Sequence, residues 1–150
     1  MLDKIKIEKT AQNLIGHFDP VAKLEIVIEA NGCRLNIESE ISGLLIGRSG
    51  ETLEALQHLL RLILVQEAGE YFPILVDVSG YRALRQKELV ENAKAVAGKV
   101  LETGESADLP PMSSFERRLV HLAIQDIKGI ETESVGEGAE RRIVIKKVNK

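Results

Sequence analysis

Ring side chains are scarce in this chain: two Tyr, three Phe and no Trp among 150 residues. A recognition surface that stacks flat ligands on aromatic faces has almost nothing to be built from. Cysteine is scarcer still. The single Cys33 excludes an internal disulfide and a multi-cysteine metal site, and in a stretch of strand character it reads as a small hydrophobe. No run is apolar for long enough to cross a bilayer. The opening Met1-Leu2-Asp3-Lys4-Ile5-Lys6 lacks the apolar core of a signal peptide, so a cytoplasmic protein without a membrane span is expected. No carboxylate pair has metal-ligand spacing, and no Cys–His or Ser–His–Asp set stands out. Neither a cofactor nor a catalytic centre is therefore expected.

What is present suffices for a core. Apolar residues make up 44% of the chain, and the length allows one domain or two small ones. The net charge of −3 excludes a basic mat that coats any polyanion. The charge is uneven: residues 1–80 hold 7 Lys or Arg against 12 Asp or Glu, and residues 81–150 hold 13 against 11. A polyanion would have to use local patches, and the second half offers more of them.

In chain order, Ile5, Ile7, Ala11, Leu14 and Ile15 have the spacing of a surface helix over 4–16, which Gly16 and Asp19-Pro20 stop. Residues 22–29 alternate as a strand. Asn31-Gly32 is a hairpin signal, and Cys33, Leu35 and Ile37 lie on one face of the returning strand. Ile41–Leu45 can form one short turn. Ile46-Gly47-Arg48-Ser49-Gly50-Glu51-Thr52-Leu53 then reads as a tight Gly-x-x-Gly turn opening an amphipathic helix to Ala68. Gly47 is expected to be left-handed, and Gly50 to leave room for a close backbone. The first amides of the new helix lack partners within it, and Arg48 is displayed at the tip. Glu51 and Glu54 already complement that helix end, so an ordinary helical corner is the bland alternative. The run 72–78 is apolar enough for a strand buried on both faces in mid-sheet.

A long helix is expected over 81–102, with Leu84, Leu89, Val90, Ala93, Val96, Ala97, Val100 and Leu101 on its inner face. Ser113 and Glu116 form a capping box that starts a helix running to about Asp126. This helix puts Arg117 and His121 one turn apart and is expected to bury Phe115, Leu119, Leu122 and Ala123. Strands at 131–135 and 141–147 close the chain.

The order helix, strand, strand, short helix, Gly-x-x-Gly, helix, strand over residues 4–79 resembles a KH domain of the bacterial, type II topology. The Arg117-x-x-x-His121 helix, the preceding Leu109-Pro110-Pro111-Met112 and the closing Arg141-to-Ile145 hairpin resemble an R-three-H module, named for its Arg and His. The two in this order are similar to the Jag, or SpoIIIJ-associated, family. The expected fold is α+β: a KH domain at 1–80, with a three-stranded sheet and helices on one face, then a small α/β R-three-H domain at 81–150 that includes the long helix.

That resemblance implies a binder of single-stranded RNA. It would be an RNA chaperone or post-transcriptional regulator linked to cell elongation, division and cell-wall homeostasis, often working with a second small KH protein. Gly47, Arg48, Ser49 and Gly50 would clamp the backbone, with bases in an aliphatic groove involving Ile41, Leu45 and Leu53. Plain core is the alternative for those three. Arg117 and His121 would hold a second segment, and Arg118, Arg141, Arg142, Lys146 and Lys147 would form a basic rim, or only a solvated surface. Phosphate favours a charged imidazole, so binding through His121 is expected to be tighter near about pH 6 than about pH 8. Competing readings are a single-stranded DNA binder, a protein-interaction scaffold and, least supported, a nuclease or phosphatase using His121.

Overall fold

Helix α1 (Lys4–Ile15) begins where Asp3 accepts a hydrogen bond from the Lys6 N–H at 2.8 Å. That pairs one of the amides a helix start leaves over. The computed structural model describes residues 3–149. The chain is α+β and divides after Arg82 into two compact units, each with its own apolar cluster.

In the first unit, β1 (Lys23–Glu29) and β2 (Gly32–Glu38) pair antiparallel, and β3 (Ile74–Val78) pairs parallel to β2, giving the order β1-β2-β3. Alternation puts Ile26, Cys33, Leu35, Ile37, Ile74, Val76 and Val78 on one face. That face packs against Ile7, Ala11 and Ile15 of α1, Leu45 of α2 (Ser42–Ile46), and Leu53, Leu56, Leu60 and Leu64 of α3 (Glu51–Ala68). Removing this apolar area from water is the main stabilising term.

The expectation for residues 72–78 is corrected. β3 is an edge strand, and only one of its faces is buried. Its apolar outer residue, Leu75, lies in a row with Arg34 and Val27, and this row mimics the density of a fully covered strand. The exposed edge of β3 is closed by side chains. Gln57, buried on α3, accepts the Val76 N–H at 2.9 Å. Arg82 donates through Nε to the Val76 carbonyl at 2.7 Å, through Nη2 to Gln57 at 3.0 Å and through Nη1 to Glu54 at 2.9 Å. These bonds pair backbone groups that would otherwise attract another strand.

The second unit follows from α4 (Tyr81–Thr103), whose first two residues belong to the first unit. Its sheet has the order β4-β6-β5, from β4 (Ala107–Asp108), β6 (Arg142–Lys147) and β5 (Ile130–Val135). Ile143 and Ile145 of β6 pack with Leu89, Ala93, Ala97 and Val100 of α4 and with Val120 and Ile124 of α5 (Ser114–Ile124). Lys147 donates to the Leu101 carbonyl at 2.9 Å, pairing one of the carbonyls left over at the end of α4. The capping box is present, with Ser113 Oγ accepting the Glu116 N–H and Glu116 accepting the Ser113 N–H.

Three expected core residues are corrected here. Leu84 on α4 is exposed, and on α5 Phe115 is 63% exposed and Leu122 is also exposed. Two apolar stripes on α5 have acceptable helical spacing. The sheet takes the branched pair Val120 and Ile124, which leaves Phe115 and Leu122 on the far side.

Gln57→Leu leaves the Val76 N–H without its partner and should cost about 1–3 kcal/mol, read as a lower urea midpoint at unchanged slope. Burial pushes the Cys33 thiol from 9.0 up to about 11, with the Glu29 carboxylate adding to the shift. The folded state therefore keeps that proton to higher pH than the unfolded chain. This contribution to stability is present below pH 9.0 and is lost as pH rises toward 11. A thiol reagent at about pH 8 should leave native Cys33 unmodified and label it only on unfolding.

Candidate nucleic-acid interface

Helix α2 ends at Gly47, whose N–H donates to the Gly43 carbonyl at 3.0 Å. Gly47 has φ 71° and ψ −172°. Its positive φ matches the sequence expectation, but the peptide is extended rather than left-handed helical. A Cβ here would run into the Thr52 side chain, 2.8 Å from Thr52 Cβ. A 3-10 turn, Arg48–Gly50, follows. Ser49 (φ 53°, ψ 26°) and Gly50 (φ 83°, ψ 10°) are both left-handed, a conformation that costs a non-glycine residue about 1–2 kcal/mol. What presses on Gly50 is a ring and not a backbone: a Cβ would sit 3.0 Å from Tyr81 Cε1.

This strained turn displays Arg48 and Ser49 in solvent. Among the described residues Arg48 has no hydrogen-bond or ion-pair partner. Among the described residues no side chain caps the start of α3. Of the two carboxylates in its first turn, Glu54 is drawn into the Arg82 ion pair at 2.9 Å, which lowers the negative charge facing the loop.

The expected apolar groove is corrected in its members. Leu45 and Leu53 are each 1% exposed; they support the turn from beneath and offer no surface. Ile41 is half-buried at the N-cap of α2. Leu44, which sequence reasoning passed over, is the exposed apolar side chain of α2. The period of so short a helix does not separate Leu44 from Leu45.

In the second unit the Arg117 and His121 pair lies on α5, beside the buried Val120 and Ile124. Arg117 is half-buried, and its Nη1 donates to the Met112 carbonyl at 2.7 Å, so part of its guanidinium is already committed. The Met112 N–H donates to the Arg141 carbonyl at 3.1 Å, and Arg141 Nε donates to Ser134 Oγ at 2.9 Å. Two residues along β5, Thr132 Oγ1 meets His121 Nδ1 at 2.5 Å. The register pairs Ser134 with Ile143 and Thr132 with Ile145, so both hydroxyls lie on the sheet face that α5 covers. Arg117, Arg141 and Ser134 are thus linked through Met112, and the His121–Thr132 pair lies on the same sheet face.

The expected basic rim splits. Arg142 and Lys146 alternate onto the other sheet face, around Val144. There Arg142 pairs with Asp108 at 2.7 Å and Lys146 pairs with Glu133. Lys147 is held by the α4 end. Arg118 is exposed and, among the described residues, without a partner. Cations that the sequence groups as one run are separated by strand alternation. Thr132 and Ser134 were missed because a hydroxyl in a strand carries no positional signal.

Gly47→Ala meets both the wrong φ and the Thr52 side chain and should destabilise by about 2 kcal/mol or more. Ser49→Gly relieves strain while loosening the unfolded chain, and should change stability by less than about 1 kcal/mol. Chemical denaturation of the two variants checks the difference.

The R-three-H domain model matches residues 87–147. RNA-binding protein KhpB of Bacillus subtilis (strain 168) is 40% identical over 114 residues, which is 75% of this chain and 55% of that protein. KhpB of Clostridium symbiosum is 37% identical over 111 residues, 74% of this chain and 50% of that protein. KhpB of Lactiplantibacillus plantarum is 32% identical over 124 residues, 83% of this chain and 38% of that protein. The chain thus spans about half the length, or less, of the curated relatives it matches. It carries an R-three-H domain at residues 87–147, and over about three quarters of its length it is similar to proteins named RNA-binding protein KhpB.

Proposed function

We propose that this chain is a non-catalytic binder of single-stranded RNA of the Jag family, its first unit a type II KH domain and its second an R-three-H domain. The observation that carries the reading is the placing of Arg117, His121 and Arg141 on the α5 side of the second sheet while Arg142 and Lys146 are paired on the opposite face. Guanidinium forks and an imidazole set together offer donors to phosphate. The element order of the first unit and its Gly47–Gly50 turn support a second backbone clamp with Arg48 at its tip. The relatives named as RNA-binding proteins support RNA as the ligand over DNA.

Two modest sites on one chain give more avidity than either alone. A role as RNA chaperone or post-transcriptional regulator in cell elongation, division and cell-wall homeostasis, with a second small KH protein as partner, rests on the family resemblance.

Fluorescence anisotropy with a labelled single-stranded RNA over a salt series tests the reading. Wild type should lose affinity steeply with salt. Arg48→Asp with Ser49→Asp, and Arg117→Ala with His121→Ala, should each weaken binding about tenfold and flatten the salt slope by about 1 for each phosphate no longer held. Arg142→Ala should stay within about twofold of wild type, since its charge is paired on the other face. Preference for a matched DNA oligomer would overturn RNA as the ligand. Cleavage of the RNA abolished by His121→Ala would overturn the non-catalytic reading. Binding indifferent to both double variants would remove the proposed sites.

A further inference from the structure

The Nδ1 atoms of His17 and His121 meet different chemistry. His17 Nδ1 faces the Asn13 carbonyl, an oxygen that only accepts, so His17 must carry its proton on Nδ1. His121 Nδ1 faces the Thr132 hydroxyl at 2.5 Å, which both donates and accepts. We infer that Thr132 is a positioning residue that keeps a proton on the outward Nε2 of His121 in both charge states of the ring. This makes His121 a permanent donor to phosphate.

The hydroxyl turns to suit the ring. Against a neutral imidazole, Thr132 donates to Nδ1 and Nε2 keeps its hydrogen. Against an imidazolium, Thr132 accepts from Nδ1–H, and Nε2–H still points outward. The alternative neutral form, with Nδ1–H and a bare Nε2, would set a lone pair against an anion, so a bound phosphate selects the first arrangement. Arg117 is one turn back on α5, and Arg141 reaches the same face through Ser134. On β5, the element packed against α5, Glu131 and Glu133 alternate onto the opposite face, where Glu133 pairs with Lys146. No carboxylate of that strand shares the imidazole's side. The inference rests on the phosphate-binding reading of the second unit and adds to it a residue that sets the tautomer.

The test uses the full chain and compares wild type, Thr132→Val, Thr132→Ser and His121→Ala. Nitrogen NMR at about pH 8, with signals assigned through His121→Ala, should show His121 protonated on Nε2 in wild type and in Thr132→Ser. In Thr132→Val it should show a mixture of tautomers. His17, protonated on Nδ1, is the internal contrast. Anisotropy with labelled single-stranded RNA should show Thr132→Val weakened about fivefold at about pH 8 and less than about twofold at about pH 6. Thr132→Ser should bind as wild type, and Thr132→Val should have no further effect in a His121→Ala background.

Wild-type His121 protonated on Nδ1 while neutral would overturn the inference. So would a Thr132→Val loss that is equal at both pH values or persists without His121. If wild type binds no RNA, the RNA reading fails separately, and the NMR signature alone still decides the role of Thr132.

Discussion

Peptide groups that a short sheet leaves unpaired must find partners, and in both units of this chain side chains supply them. Gln57 and Arg82 close the exposed edge of β3 in the first unit. In the second, Arg117 pairs the Met112 carbonyl, and the Met112 N–H in turn reaches the Arg141 carbonyl. Each of these bonds lies in or next to a candidate site. Arg82 pairs with Glu54 in the first turn of α3. The Arg117 bond holds in register the segment that brings Arg141 toward Ser134. An unpaired buried peptide group costs more than the same group paired gains, so these contacts fix side-chain positions more firmly than surface ion pairs would.

The Gly47–Gly50 turn shows the same economy of parts. Its backbone turns through three residues of unusual conformation, Gly47, Ser49 and Gly50, and two neighbours require it. Thr52 fills the space beside Gly47, and the Tyr81 ring lies against Gly50. With Leu45 and Leu53 sealed beneath, the turn is held from below while its tip stays open to solvent. Support of that kind would reduce the entropy lost if the turn clamps a ligand as proposed.

Charge is distributed by pairing more than by number. The second unit has many cations, yet Arg85, Arg142 and Lys146 are matched by Glu116, Asp108 and Glu133. Arg48 and Arg118 have no such partner among the described residues. An anion gains from a cation that is not already neutralised, so the proposed polyanion surfaces are the unpaired cations and the Arg117, His121 and Arg141 group rather than the places of highest Lys and Arg density.

The sequence by itself determined the α+β class, the hairpin at Asn31-Gly32, the capping box at Ser113, the Gly-x-x-Gly turn and the placing of Arg117 and His121 on one helix face. Each of these depends on residues a few positions apart, where period, cap and turn chemistry act directly. The tertiary structure decided the rest. It made β3 an edge strand, chose Val120 and Ile124 over Phe115 and Leu122 as the buried stripe of α5, and sent Leu45 and Leu53 into the core. It also turned Arg142 and Lys146 away from His121 and brought Thr132 to the His121 ring. Those outcomes depend on which strand lies beside which and which helix face meets the sheet. Contacts between residues far apart in the chain set both, and no local pattern of residues specifies them.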